Sequence, residues 1–360
     1  AAFHGPVFTR GLARLQGNTG PFWGHNAIVR VPAFAQSCGL PVLSGPPPFG
    51  GCVLSHDYAE AALLARAGWS VRVDPTIGGS YEEAPENVFS YARRDRRWCQ
   101  GNLQHLRLLF APGLRGWSRF VFAQNAMSYL VALLWAGFLL ASFAATLLAP
   151  PPDYFPEPHL LFPVLPSDRT KELTALMLGI VGLLILPKFA ILIEAGIAKR
   201  RAGFGSTRRA LASVSTEILL SSVMAPVLLM FQLRAVVQVL SGQDGGWPAN
   251  ARGDGQITFV QALRPSLWIS IIGAVALFGA FMLSPALAPW LLPVCVPMIA
   301  APWLISFTSR RLTFALFRTP DETTPPEVLT DYRAIAARWQ AQTVATPQKT
   351  SASEPNFVAA

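Results

Sequence analysis

A chain of 360 residues can hold two domains, and this one is 52% hydrophobic and only 14% charged, where soluble proteins carry about a quarter. That shortage excludes a wholly soluble protein. The net charge of +9 does not point to nucleic acid either, because Lys and Arg gather beside apolar runs, at 93–97, 199–209 and 310–318, where basic residues mark the cytoplasmic flank of membrane spans and meet anionic headgroups.

The chain opens mid-pattern at Ala1-Ala2-Phe3, with neither an initiator Met nor a signal peptide, and the expectation is that part of a parent protein precedes it. Residues 1–118 mix polar and apolar positions as a globular segment does. FWGHNAIVRV at 22–31 reads as a turn running into a strand, and Pro32 opens a short helix. SGPPPFGG at 44–51 is a loop, since its prolines and glycines forbid regular structure. A helix from Tyr58 to Ala67, a stop at Gly68 and a strand at 70–74 complete an α/β alternation. Residues 86–110 read as one amphipathic helix along the membrane interface, with Tyr91, Trp98, Leu103, Leu106 and Phe110 on one face and arginines opposite. Cys38, Cys52, Cys99 and Cys295 form no CxxC pair and no metal-ligand spacing, which fits a reducing, cytoplasm-facing protein.

No residue between Arg119 and Asp153 is charged, ample for one crossing of a ~30 Å apolar core. This predicts a first span at about 120–149. A loop at 150–172 precedes a second span at 173–195, where Lys188 and Glu194 can snorkel or pair. The loop 196–211 holds five basic residues and no acid. Two more spans, 267–283 and 286–305, fit the uncharged run from Pro265 to Ser309, turning near Ser284-Pro285. The segment 212–240 is apolar, but Glu217 and Arg234 bracket only 16 uncharged residues and Pro226 interrupts them. Were it to cross, Arg310 and Arg311 would land outside, against the positive-inside bias. It is therefore read as re-entrant or interfacial, leaving four spans. The division is 1–85, a cytoplasmic α/β part; 86–118, the interfacial helix region; 119–309, the transmembrane region; and 310–360, a cytoplasmic tail disordered from about 345.

Three places can carry chemistry. Ser55-His56-Asp57 fails as a hydrolytic triad, because three contiguous side chains cannot converge as nucleophile, base and orienter. Asp57 with Glu60 reads as a helix capping box or, at a strand–helix junction, Asp57 reads as a general base toward a hydroxyl. Arg93, Arg94, Arg96 and Arg97 either bind lipid phosphates or stabilise a departing pyrophosphate, and Trp98 beside them can stack on a sugar ring. Gly24, His25 and Asn26 form either a plain turn or part of a sugar pocket, with Gly24 allowing close backbone approach. His25, His56 and His105 lack zinc-like spacing, and the glycines at 45–51 lack the Lys-Ser/Thr of a phosphate loop.

FWGHNAIVR, FGGCVLSHDYAEAALL, GSYEEAPENV and RRDRRWCQGNLQHLR, in this order and directly before the spans, resemble the processive family-2 glycosyltransferases, the cellulose-synthase-like group, and most closely the glucans biosynthesis glucosyltransferase H family. The likeness is dense over about 3–136 and rests on hydropathy beyond. It implies a partial GT-A-like α/β domain followed by an α-helical transmembrane bundle. It also implies inverting transfer of glucose from UDP-glucose to a growing β-glucan, the backbone of osmoregulated periplasmic glucans, coupled to export. Asp57 matches the proposed catalytic base, and Arg97 and Trp98 match the Arg-Trp of the family's Q-x-x-R-W motif. Arg94 stands at the Gln position, which puts a contact carried by Gln in doubt. Gly24, His25 and Asn26 match a segment near donor and acceptor sugars, with His56 and Arg96 as further substrate contacts. The family's divalent metal (Mg or Mn) is held by upstream aspartates that this chain does not supply, so the chain alone is expected to be inactive. Partners implied are UDP-glucose, a β-glucan acceptor, membrane lipids and a periplasmic glucan-processing protein, with no nucleic acid. The implied location is the bacterial inner membrane, multi-pass, with catalytic part and tail cytoplasmic. Rival readings are a lipid-linked sugar transferase and a non-enzymatic transporter or channel module.

Overall fold

The computed structural model describes residues 3–79, 81–82, 84–148, 170–197, 204–245, 255–285, 287–310 and 315–345. Most of the loop expected at 150–172, the basic run at 199–201 and the tail beyond 345 lie outside them. The first part holds four helices: α1 (Gly5–Gln16), α2 (Val31–Ser37), α3 (His56–Arg66) and α4 (Val88–Gln104). Pro32 sits in the first turn of α2, where its missing N–H costs nothing. α3 stops at Ala67, and Gly68 takes the left-handed φ of 90° that lets the chain turn away.

The expected strands do not form. Among the described residues the extended segments make only two isolated bridges, Thr19 with Val71 and Leu43 with Gly51. Val71 donates to the Asn18 carbonyl at 2.8 Å and accepts from Gly20 at 3.0 Å. A strand is defined by a ladder with a neighbour; 70–74 meets 18–20 at a single bridge, and among the described residues 22–31 pairs with no extended segment. The α/β expectation is thus met in its helices and not in a sheet.

α4 is shorter than the expected 86–110. Asn87 caps it by accepting from the Ser90 amide at 2.9 Å, and a single 3-10 turn, His105–Arg107, replaces its last turn. Nor does it lie free on a surface, for Cys99 through His105 are all buried.

Next come α5 (Gly116–Leu148), α6 (Thr170–Ile197), α7 (Thr207–Leu240) and α8 (Phe259–Leu283). Each of the four, α6 from Lys171 onward, is long and apolar enough to cross a membrane. α9 (Ala288–Ile299) and α10 (Ala301–Thr308) meet at a 57° bend, where Pro297 and Pro302 remove backbone donors and break helical continuity. α11 (Pro320–Thr323) and α12 (Glu327–Ala345) follow. The segment read as re-entrant or interfacial is a continuous 34-residue helix, α7, running through Pro226.

Two apolar clusters fix the parts that matter for the site. Met224, Val227 and Met230 of α7 pack with Ala262 and Ile269 of α8 and with Met298, Ala301 and Ile305 of the bent pair. Cys99 and Leu103 of α4 pack with Ala126 and Tyr129 of α5 and with Ala235, Val236 and Val239 of α7. Truncating a fully buried leucine such as Leu103 costs about 2–5 kcal/mol, so this second cluster sets the register of α4 against the first apolar helix.

Candidate active site

The start of α3 carries the acid. Ser55 is the N-cap residue yet makes no side-chain capping bond, and Asp57 lies inside the first turn. The Asp57–Glu60 capping box therefore does not form. Glu60, 7% exposed, instead pairs with His56 Nδ1 at 3.0 Å. That leaves Asp57 free of the capping role while a first-turn position still favours its negative charge. Burial pushes its carboxyl above the ordinary value, opposed by hydrogen bonds from backbone amides and by the neighbouring imidazoles of His56 and His25.

Opposite stands one face of α4. Arg97, Trp98 and, one turn on, Asn102 share a cleft with Asp57, and Asn102 Nδ2 donates to the Trp98 carbonyl at 2.8 Å. The Arg94 guanidinium lies over the Trp98 ring, 4.5 Å from its centroid. Trp98 is 43% exposed, so the indole keeps surface for a flat ligand. Burial and the adjacent Arg94 lower the Arg97 pKa, which leaves it a cation at any physiological pH.

The cleft has a volume of about 580 Å³, within the range of small-molecule sites. Trp23, Gly24 and His25 form one wall, Leu54 through Tyr58 the second, Arg97, Trp98 and Asn102 the third. The fourth comes from α5, through Asn125, Ser128 and Tyr129. The Tyr129 hydroxyl donates to Asp95 at 3.2 Å. Burial and the Asp57 charge push Tyr58 up to about 12, so it stays a neutral donor. The arrangement offers a carboxylate base, one cation, an indole platform and several hydroxyl and amide groups in a space the size of a sugar.

Of the eight residues singled out in the sequence, six meet here: Gly24, His25, His56, Asp57, Arg97 and Trp98. His25 Nδ1 also pairs with Glu82 at 2.8 Å. Two do not line the cleft. Asn26 takes a left-handed φ of 52° next to Gly24, a conformation asparagine tolerates better than most residues. Arg96 is turned toward α7, donating from Nε to Gln238 Oε1 at 2.8 Å and from Nη2 to the Gln243 carbonyl at 3.0 Å. Successive helical residues point about 100° apart, so Arg96 cannot share the direction of both Arg97 and Trp98. The residues that sequence reasoning missed are Tyr58, Asn102, Asn125, Ser128 and Tyr129. The last three follow i, i+3, i+4 spacing on an otherwise apolar helix, a polar stripe that hydropathy averaging hides.

Among the described residues no group of three or more His, Cys, Asp or Glu side chains could hold a metal ion, and the cleft's imidazoles are already paired with Glu60 and Glu82. These residues do not fit a metal.

Residues 8–187 match the model of glycosyl transferase family group 2. A Cereibacter sphaeroides protein named glucans biosynthesis glucosyltransferase H is 59% identical over 340 residues, covering 94% of this chain and 57% of that protein. A protein of the same name from Rhodopseudomonas palustris is 41% identical over 345 residues, 94% of this chain and 47% of its own length. Another, from Caulobacter vibrioides, is 38% identical over 343 residues, 91% and 51%. The chain spans about half the length of the curated relatives it matches. No solved structure matches it.

Proposed function

The chain belongs to glycosyl transferase family group 2, and from that membership and the cleft we propose that it carries the acceptor side of a glucosyltransferase that extends a β-glucan from UDP-glucose. The carrying observation is that Asp57, Arg97 and Trp98, from two helices 40 residues apart in sequence, line one cleft. In this reading Asp57 takes the proton of the acceptor hydroxyl as its oxygen attacks the anomeric carbon. The bond from that carbon to the UDP oxygen breaks on the opposite face, inverting the configuration. Arg97 is the cation for the charge that develops on the departing pyrophosphate. Trp98 holds the acceptor ring on its open face. Arg96 has no part in this, being engaged with α7. The polar stripe of α5 supports an acceptor that runs from the cleft toward the apolar helices, and the names of the relatives support glucose and glucan. Basic flanks support a cytoplasmic cleft at the inner membrane.

The test uses the full-length protein in membranes with labelled UDP-glucose. Asp57→Asn is expected to abolish glucan formation while UDP binding stays within about twofold. Wild-type turnover by that variant removes Asp57 from the mechanism.

A further inference from the structure

Gly101 and Gln104 of α4 and His105 in the turn after it hold the loop that delivers Asp57. Gly101 packs against Ser55 so closely that a methyl group there would lie 2.8 Å from the Ser55 amide nitrogen. Gln104 accepts from the Leu54 amide at 3.0 Å and donates to the Gly50 and Cys52 carbonyls, each at 3.3 Å. His105 is fully buried, with Nε2 at 2.9 Å from the Ser55 carbonyl. A carbonyl only accepts, so Nε2 carries the hydrogen and the ring is the neutral Nε2–H tautomer. Burial agrees, lowering its pKa to about 4. The ring packs 4.7 Å from Phe122 of α5 and 6.0 Å from Tyr58.

A buried histidine bonded to a carbonyl is ordinary. What matters is which carbonyl. Ser55 is the N-cap of α3, and its carbonyl lies two residues before the acid, at the point where the backbone turns into the helix. The same α4 segment presents Arg97 and Trp98 two turns earlier. One rigid element therefore carries the cation and platform at one end and grips the base-bearing loop at the other.

We propose that His105 is a positioning residue for Asp57, its hydrogen bond to the Ser55 carbonyl holding the carboxylate in register with Arg97 and Trp98. This rests on the glucosyltransferase reading above. A phenylalanine or leucine at 105 would fill the space and still pack on Phe122, but would leave the Ser55 carbonyl buried and without that donor. A glutamine places an amide N–H near the position of Nε2 and restores the bond.

The experiment compares His105→Leu and His105→Gln with wild type and Asp57→Asn, in full-length protein in native membranes. It measures kcat, donor KM, UDP binding and melting temperature. His105→Leu is expected to lower kcat at least tenfold with donor KM and UDP binding within twofold, and His105→Gln to recover most of that loss. Wild-type kcat in His105→Leu overturns the proposal, as does an equal loss in both variants or a loss that appears mainly in KM. If His105→Leu does not accumulate as folded protein, the kcat of His105→Gln decides: near wild type it supports the role, and a tenfold loss at unchanged stability refutes it. Asp57→Asn separates the two levels. An active Asp57→Asn defeats the transferase reading itself, whereas an inactive one beside a normal His105→Leu defeats only the positioning role.

Discussion

Gly24 stands so near Asp57 that a methyl group on it would meet Asp57 Cβ at 3.3 Å and Oδ2 at 3.5 Å, and its φ is 75°. The glycine thus serves two needs at once, a left-handed backbone and room for the acid. Gly24→Ala incurs a conformational cost of about 1–2 kcal/mol and presses on the carboxylate. Transfer is expected to fall about tenfold or more, with a modest drop in melting temperature. Unchanged turnover in membranes would show that the close approach serves packing alone.

The Asp57 carboxyl is raised by burial, and this has two measurable consequences of opposite sense. A base works only when unprotonated, so the acid limb of the kcat profile should lie above the ordinary aspartate value of about 3.9. For stability, a raised folded value means that the native state holds more protons than the unfolded chain between the two values. Stability therefore declines as pH rises through that window, and the deficit remains at neutral pH. Asp57→Asn removes the charge and keeps the shape. It should melt higher than wild type at pH 7 and lose the advantage below about pH 4, and equal melting at pH 7 would contradict a buried charged acid.

How far the sequence discloses this site depends on whether neighbours in space are also neighbours in chain. Asp57, Arg97 and Trp98 line one cleft, but residue type alone left Asp57 between helix cap and base and the arginines between lipid and pyrophosphate, and only the order of the segments around them narrowed the choice. Arg96 was misplaced because a run of four arginines gives no sign of which helical face each occupies, and its partners Gln238 and Gln243 lie about 140 residues on. The first, second and fourth long apolar helices were legible from charge-free runs, whereas α7, with Glu217, Pro226 and Arg234 inside it, reads as interrupted. The lack of strands at 22–31 and 70–74 was not legible, because a strand depends on a partner that local alternation cannot supply.

Arg94 lies over the Trp98 ring, 4.5 Å from its centroid, and Trp98 lines the cleft at 43% exposure. A cation–π contact at a partly exposed site contributes about 0.5–1 kcal/mol. Arg94→Met is expected to loosen the platform, raising acceptor KM about two- to fivefold while donor KM holds. A change confined to donor KM would assign Arg94 to the nucleotide instead.

Arg96 and Arg97 are adjacent, yet the structure gives them different surroundings, Arg97 in the cleft and Arg96 against α7, and alanine variants should separate their roles. Arg97→Ala is expected to reduce kcat strongly at little cost in stability. Arg96→Ala should instead lower the melting temperature, and a double-mutant cycle with Gln238→Ala should show coupling, since the two side chains share a 2.8 Å hydrogen bond. Additive effects, or equal kinetic losses from both arginines, would return Arg96 to the cleft.

Lys188 of α6 holds Glu217 of α7 through both carboxylate oxygens, at 2.8 and 2.9 Å, on two helices otherwise apolar enough to cross a membrane. Ser221 adds a weaker contact to the same carboxylate at 3.4 Å. Both side chains are partly exposed, 27% and 35%, so the pair sits between a surface bridge of under about 1 kcal/mol and a buried one whose rupture costs about 3–5 kcal/mol. Removing one partner leaves the other charge unpaired between two largely apolar helices, whereas removing both does not. Glu217→Gln alone should therefore lower the melting temperature, by about 2–4 °C per kcal/mol lost. The double variant Lys188→Met/Glu217→Leu should regain most of it. If the single and double variants melt together at the lower temperature, the pair does more than neutralise charge between α6 and α7, and its bidentate geometry is what fixes the two helices side by side.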